Sequence, residues 1–412
     1  MRGLVARFLV AAFAVMSSTV AVPAWSAAVT PEPCSELALS PTFATDGTAV
    51  CAGVSVDRST GVAIAATVFV TTDKGHSWRK ASATGIAISR SDDYVRGVVL
   101  SPRYSSDHMV FVQLARAGLF SSVDRGESFT LVSPLGLGRV TPYVAIPSVL
   151  GAAARPLLLH ANAAGNDVSM QVDPASRALA PVAGTPGADR EFAVSPRYAT
   201  DGLAFAAAEV TSADGTSTSP AVYACNAGFA CADQRFLGPA RATFDRLRVL
   251  PAATPSGFVV VVQALVGATP RMWRSVDGGR TFQPWKSVNA IVATFGSGPS
   301  QLAVAADPAA PNRMYLRTSW ISPHGSPPDD QVFVSTDAGS RWTRVAYGTM
   351  VGLRHTGAIP PTSTGGYRDT AAGLLAAGGG GRLFMLTGDR GSPEYTGPYC
   401  SRDGGRSWAR FC

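Results

Sequence analysis

Lysine is nearly missing from this chain. Of its 412 residues only Lys74, Lys80 and Lys286 carry an ammonium group, and arginine supplies the rest of the formal charge of +7. The basic residues are scattered and never run four in a row, so no nucleic-acid footprint is expected. There is no His-Glu-x-x-His pair for zinc, no Gly-x-Ser-x-Gly nucleophile elbow and no phosphate-binding loop. The cysteine spacings do not fit a metal cluster. No cofactor and no metal are therefore expected. His76 and His108 fall within turn sequences, and His160 lies in an apolar run where a structural role is expected. Helical periodicity is also lacking, and what remains is short apolar runs separated by Gly, Pro, Asp and Ser.

The one long apolar stretch is at the start. Arg2 and Arg7 precede an apolar run from Phe8 to Val22, followed by small residues at Ala24, Ser26, Ala27 and Ala28. That layout predicts a signal peptide over 1–28, cut after Ser26 or Ala28, and a single domain over 29–412. The mature protein is expected to be secreted or associated with the cell envelope, without a stable membrane span. Its oligomeric state is not legible. Six cysteines, an even number, suit an exported protein with disulfides. Proximity pairs Cys34 with Cys51, Cys225 with Cys231 and Cys400 with Cys412, and a bond from Cys34 to Cys412 is the competing arrangement.

A short cassette, Ser/Thr-x-Asp-x-Gly-x-x-Trp/Phe, returns along the chain. It reads Thr71, Asp73, Gly75, Trp78, then Ser122, Asp124, Gly126, Phe129, then Ser275, Asp277, Gly279, Phe282. Two more copies are Ser335, Asp337, Gly339, Trp342 and Ser401, Asp403, Gly405, Trp408. The stretch Cys225-Asn226-Ala227-Gly228-Phe229-Ala230-Cys231 is a disguised copy, with Asn226 for Asp and a cysteine for the aromatic. The interval from Asp124 to Asn226 leaves room for one further module, with Asp173 near the middle of an eroded copy. A second phrase, Ser-Pro followed by an aromatic and Asp, recurs at Ser40–Asp46, Ser101–Asp107 and Ser195–Asp201.

Each module reads as strand, proline turn, strand, loop, strand, cassette turn, strand. The predicted fold class is all-β, a seven-bladed β-propeller of four-stranded antiparallel blades over approximately 34–80, 95–131, 142–180, 190–235, 245–287, 300–345 and 370–412. Within a cassette, the Asp is expected to accept hydrogen bonds from its own turn and the Gly to supply a conformation other residues reach only with strain. The aromatic is expected to fill a seam between sheets. Asp73, Asp124, Asn226, Asp277, Asp337 and Asp403 are thus read as structural residues, because a residue type repeated at equivalent places does not make a unique reaction centre.

The cassette resembles the Asp-box, or BNR, repeat of sialidases, sortilin-type receptor domains, certain xyloglucan-degrading glycosidases and plastid photosystem assembly factors. That resemblance implies a propeller and leaves activity open. The Arg-Ile-Pro motif that sialidases carry near the start is absent here, and Arg103 and Arg197 belong to the repeated Ser-Pro-Arg-Tyr phrase. No sialidase residue is carried over.

Candidate ligand residues lie where the repeat is interrupted. Asp92, Asp93 and Arg96 occupy one connector. Trp320, His324, Asp329 and Asp330 belong to a proline-rich insertion. Arg354, His355, Tyr367, Arg368 and Asp369 form the longest departure from the period, with Tyr395 expected nearby. With no recognisable catalytic set, the expected function is a binding or scaffold module for a protein or a cell-envelope glycan, without enzymatic activity. The alternative is a glycoside hydrolase, sialidase-like or β-glucanase-like, using loop carboxylates.

Overall fold

The computed structural model describes residues 29, 31, 33–57, 60, 62–88, 93–101, 103–133, 144–145, 157–161, 167–172, 179–181, 188–226, 230–267, 269–294, 300–320, 329–348, 375–389, 392–409 and 412. The first sheet is β1 (Glu36–Leu39), β2 (Ala49–Val56), β3 (Ala63–Thr71) and β4 (Arg79–Ala81), with the one-turn helix α1 (Phe43–Asp46) between β1 and β2. The second is β5 (Val95–Leu100), β6 (Val110–Leu114), β7 (Gly118–Ser122) and β8 (Thr130–Ser133), with α2 (Tyr104–Asp107) at the matching place. The third is β9 (Val144–Ala145), β10 (Leu157–Ala161), β11 (Asp167–Val172) and β12 (Leu179–Pro181). Asp173 lies outside the described residues.

The fourth sheet holds β13 (Ala188–Val194), β14 (Ala204–Thr211), β15 (Thr218–Cys225) and β16 (Asp233–Leu237), with α3 (Tyr198–Asp201) after β13. The fifth holds β17 (Ala242–Pro251), β18 (Phe258–Val266), β19 (Thr269–Ser275) and β20 (Gln283–Pro284), and is followed by helix α4 (Lys286–Ala293). The sixth is β21 (Ser300–Ala306), β22 (Met314–Trp320), β23 (Asp329–Ser335) and β24 (Thr343–Gly348). The last is β25 (Leu375–Gly379), β26 (Arg382–Asp389) and β27 (Ser392–Ser401). Among the described residues each sheet is an antiparallel meander.

The expected propeller of seven four-stranded blades is corrected by this topology. Among the described residues there are six separate sheets of four strands and one of three, and no sheet is closed into a barrel. In the last sheet the fourth strand shrinks to a single bridge between Cys400 and Ala409. Beyond that bridge Cys412 is bonded to Cys400, and its amide donates to the Gly75 carbonyl of the first sheet. Helix α4 was likewise not expected. Trp285, Val288 and Val292 anchor it in the core cluster between the fifth and sixth sheets.

First strands of neighbouring sheets touch one another, as β1 does β5, β13 does β17, and β21 does β25. The last sheet also meets the first: the Cys412 amide donates to the Gly75 carbonyl at 2.8 Å, Arg382 Nη1 donates to the Lys74 carbonyl at 3.0 Å, and Phe43 and Phe384 stack edge to face at 5.5 Å. Apolar side chains fill these contacts, and burial of each large one contributes about 1.5–3 kcal/mol. The structure pairs Cys34 with Cys51, Cys225 with Cys231 and Cys400 with Cys412, and no free cysteine remains among the described residues. Among those residues no helix is long and apolar enough to cross a membrane.

The Ser-Pro phrases form α1, α2 and α3. Ser40, Ser101 and Ser195 each donate from Oγ to Oδ2 of Asp46, Asp107 and Asp201, at 2.5, 2.5 and 2.6 Å. The other oxygen of each Asp receives the amide two residues on, from Thr48, Met109 and Leu203. Each phrase is therefore a self-contained turn, and Arg103 and Arg197 are part of it.

Candidate active site

The cassette carboxylates have little left to offer a ligand. Asp277 Oδ1 accepts from Ser275 Oγ at 2.6 Å and from the amides of Arg280 and Thr281 at 3.0 Å each, and its Oδ2 accepts from Thr281 Oγ1 at 2.6 Å. The Gly279 amide closes the turn on Ser275 Oγ at 2.8 Å. Two of these bonds, from the Ser or Thr hydroxyl two residues before and from the amide four residues on, recur at Asp73, Asp124, Asp337 and Asp403. Partial burial pushes the Asp277 carboxyl up, but these donors outweigh it and bring its pKa down to about 2. At Asn226 the side-chain oxygen accepts the Ala230 amide at 3.0 Å, and the Cys225–Cys231 bond closes the turn where an aromatic stands elsewhere.

The candidate loop residues are spread over several sheets. Asp93 is buried, and its carboxylate takes the amides of Tyr94, Arg116 and Ala117 at 3.0, 2.9 and 3.1 Å, which ties β5 to the β6–β7 turn. Trp320 pairs with Asp329, and Ser319 with Asp330, in the β22–β23 ladder. Tyr395 lies on β27, and Arg96 on β5. Asp92, His324, Arg354, His355, Tyr367, Arg368 and Asp369 lie outside the described residues.

A different set of polar groups gathers where the first strands meet. Register shifts break β5 between Val95 and Gly97, β13 between Asp189 and Glu191, and β17 between Phe244 and Arg246. The residues left over are Arg96, Arg190 and Asp245, all charged. A bulge of this kind re-aims side chains that regular pleating would send elsewhere. On β17 it puts Asp245 within reach of the neighbouring strand, where Gln263 Nε2 donates to its Oδ2 at 2.5 Å. Arg246 Nε stands 4.0 Å from the other oxygen.

Glu191 on β13 reaches across to β17. Its Oε2 accepts the Leu247 amide at 2.6 Å, and its Oε1 accepts from Arg248 Nη1 at 2.7 Å. Arg246, Arg248 and Gln263 then line one wall of a crevice of about 40 Å³, with Leu302, Val304 and Leu375 among the residues of the other side. That volume holds an ordered water or two rather than a sugar ring. Asp245 is the more open acid, with 36% of its side chain accessible against 9% for Glu191. The crevice wall thus carries a partner of each acid, Gln263 for Asp245 and Arg248 for Glu191, while neither carboxylate is itself among the lining residues.

No family model matches the chain, and no curated protein does. Solved structures are similar. The GH74 xyloglucanase from Xanthomonas campestris is 13% identical, with a TM-score of 0.40 over 93% of this chain and 74% of that one. The GH74 enzyme of Niastella koreensis is 14% identical, with a TM-score of 0.36 over 90% of this chain and 68% of that one. A polysaccharide lyase of family PL25, an ulvan lyase bound to a glucuronic acid–sulfated rhamnose unit, is 8% identical with a TM-score of 0.46 over 78% and 87%. Likeness at these TM-scores assigns neither family nor substrate.

Two expectations are corrected. The Asp-box (BNR) assignment has no family model behind it, and the structures named above are GH74 enzymes and a lyase rather than sialidases or sortilins. The expected binding or scaffold module is corrected with it, since it was drawn from a closed propeller that the sheet topology does not establish.

Sequence reasoning passed over Glu191, Asp245, Arg248 and Gln263. A signal was present: Ala188-Asp189-Arg190-Glu191-Phe192 and Phe244-Asp245-Arg246-Leu247-Arg248 put three charges each into strands that elsewhere begin apolar.

Proposed function

We propose that this protein is a glycoside hydrolase acting on a polysaccharide outside the cell or at its envelope, with Asp245 and Glu191 as its working carboxylates. The observation that carries this reading is the β17 bulge at Asp245, whose partner Gln263 lines the crevice together with Arg248, the partner of Glu191. Glycosidic cleavage needs one carboxyl to give a proton to the leaving oxygen and another to serve as base or nucleophile. The partners differ in a way that suits this division. Glu191 is buried and takes both the Leu247 amide and the Arg248 guanidinium, which fixes its position. Asp245, bonded to Gln263 with Arg246 at 4.0 Å, is the more open to solvent and so the better placed to meet a glycosidic oxygen. Water in the crevice would be the second reactant.

The test is release of reducing ends from a panel of neutral and acidic polysaccharides by the mature protein. Wild type is expected to cleave at least one of them, while Asp245→Asn and Glu191→Gln lose about 100-fold or more in kcat, in line with the loss of general acid–base catalysis. Cleavage undiminished in the Asp245→Asn protein would refute the assignment, and no cleavage of any polysaccharide would refute the function.

A further inference from the structure

A second cavity, of about 280 Å³, opens at the junction of the sixth and last sheets, and its walls carry Arg313, Arg402 and Arg406. Its floor includes Tyr315, which is fully buried. No group meets the Tyr315 hydroxyl at hydrogen-bonding geometry, although Arg313 is near enough to oppose the upward push that burial gives its pKa. A buried hydroxyl without a partner costs free energy unless something occupies the cavity beside it.

Among the described residues, the carboxylate that pairs with one of these arginines is Asp307, with Arg313. Asp307 is buried and already takes the amides of Ala309 and Gly381, at 3.0 and 3.3 Å, while Arg313 stands 3.7 Å off. Asp403 is bonded into its own cassette turn through Ser401, Arg406 and Ser407. Arg406 Nη1 donates to the Asp403 carbonyl at 2.8 Å, and the residue lines the cavity. Arg402 faces another cation: Arg382, whose pKa is lowered by burial and then by Arg402. Gly380, Gly381 and Gly404 put bare backbone along the rim at positive φ (+62°, +80° and +73°), so a ligand meets no side chain there.

We propose that this cavity binds an oxyanion borne on a sugar, the carboxylate or sulfate ester of an acidic polysaccharide, between Arg402, Arg406 and Arg313, with the Tyr315 hydroxyl donating to it. Guanidinium forks match the paired oxygens of such groups. The cavity is larger than the bare ion requires and has neutral hydroxyls at Tyr315 and Thr336, which suit the ring that carries the charge.

Calorimetric titration reads binding without depending on hydrolysis, so it stands apart from the test of Asp245 and Glu191. The probes are oligogalacturonate for the carboxylate, a dextran sulfate oligosaccharide for the sulfate, neutral dextran of the same length, and inorganic sulfate. One or both acidic oligosaccharides should bind, more weakly as salt rises, with neutral dextran silent and inorganic sulfate at least 10-fold weaker. Which acid binds identifies the group. Arg402→Gln with Arg406→Gln, both on exposed side chains, should weaken binding at least 10-fold, and Tyr315→Phe should weaken it about threefold with the ring retained. Acidic oligosaccharides that do not bind, or bind equally to the double variant, would overturn the proposal. Inorganic sulfate binding as tightly as the oligosaccharides would overturn the sugar-borne ligand.

Discussion

Asp277 and Asp245 are both aspartates next to a strand of the fifth sheet, and they live opposite lives. Asp277 closes a turn that recurs around the molecule, with four donors on its two oxygens. Asp245 sits on a bulge with Gln263 as its close donor and Arg246 standing off at 4.0 Å. Repetition marks the first as a device of the fold. Irregularity marks the second as a place where regular pairing has been traded for a charged side chain bonded to Gln263 of the crevice wall. The contrast predicts that changes at the cassettes alter stability, and changes at the bulge alter chemistry.

The largest stability effect is expected where a cassette touches its neighbour. At Gly339, φ is +80° and an added Cβ would lie 2.3 Å from Cζ2 of Trp285, whose ring fills the core between the fifth and sixth sheets. Gly339→Ala should cost on the order of 3 kcal/mol in chemical denaturation, since the ring must move and the backbone is strained. A variant of wild-type stability would show that the cassette glycines do not set the spacing of sheets. Opening the Cys225–Cys231 bond with paired Cys→Ala substitutions is next, at about 2 kcal/mol from the loop it closes, read as a fall in the unfolding midpoint.

A smaller effect is expected from Asp277→Ala, about 1–2 kcal/mol, because the turn amides of Arg280 and Thr281 turn to water. Asp245→Asn should change stability by less than about 0.5 kcal/mol, as surface substitutions away from packed cores do. If both aspartates weigh equally in denaturation, the contrast between fold and site fails.

Acid provides a last and gentler test. The Asp277 carboxyl is near 2 in the folded protein against an ordinary value of 3.8, so its contribution is present above about pH 4 and is lost as pH falls toward 2. Asp73, Asp124, Asp337 and Asp403 are lowered in the same direction. Melting temperature should therefore decline through that window, and less steeply in Asp277→Asn.

The cassettes made much of the architecture legible, because Ser, Asp and Gly at fixed spacing form one local turn whatever surrounds it. Cysteines close in sequence were legible for the same reason. What escaped depends on distant contacts. The contact of the last sheet with the first, from Cys412 to Gly75, joins residues far apart in sequence. Asp245 and Glu191 are 54 residues apart in sequence. Register shifts in two strands accompany the bonds from Arg248 to Glu191 and from Gln263 to Asp245, and single-residue bulges leave no fixed spacing to read. The arginine cavity was hidden differently, since Arg402 and Arg406 sit inside a cassette that reads as wholly structural.

The most direct measurement is the reducing-end assay on polysaccharides with wild type and Asp245→Asn side by side, with unfolding midpoints of the two proteins measured in parallel. Cleavage by wild type, lost by about 100-fold or more in a variant of unchanged stability, is the predicted result. Equal cleavage by both proteins would contradict it.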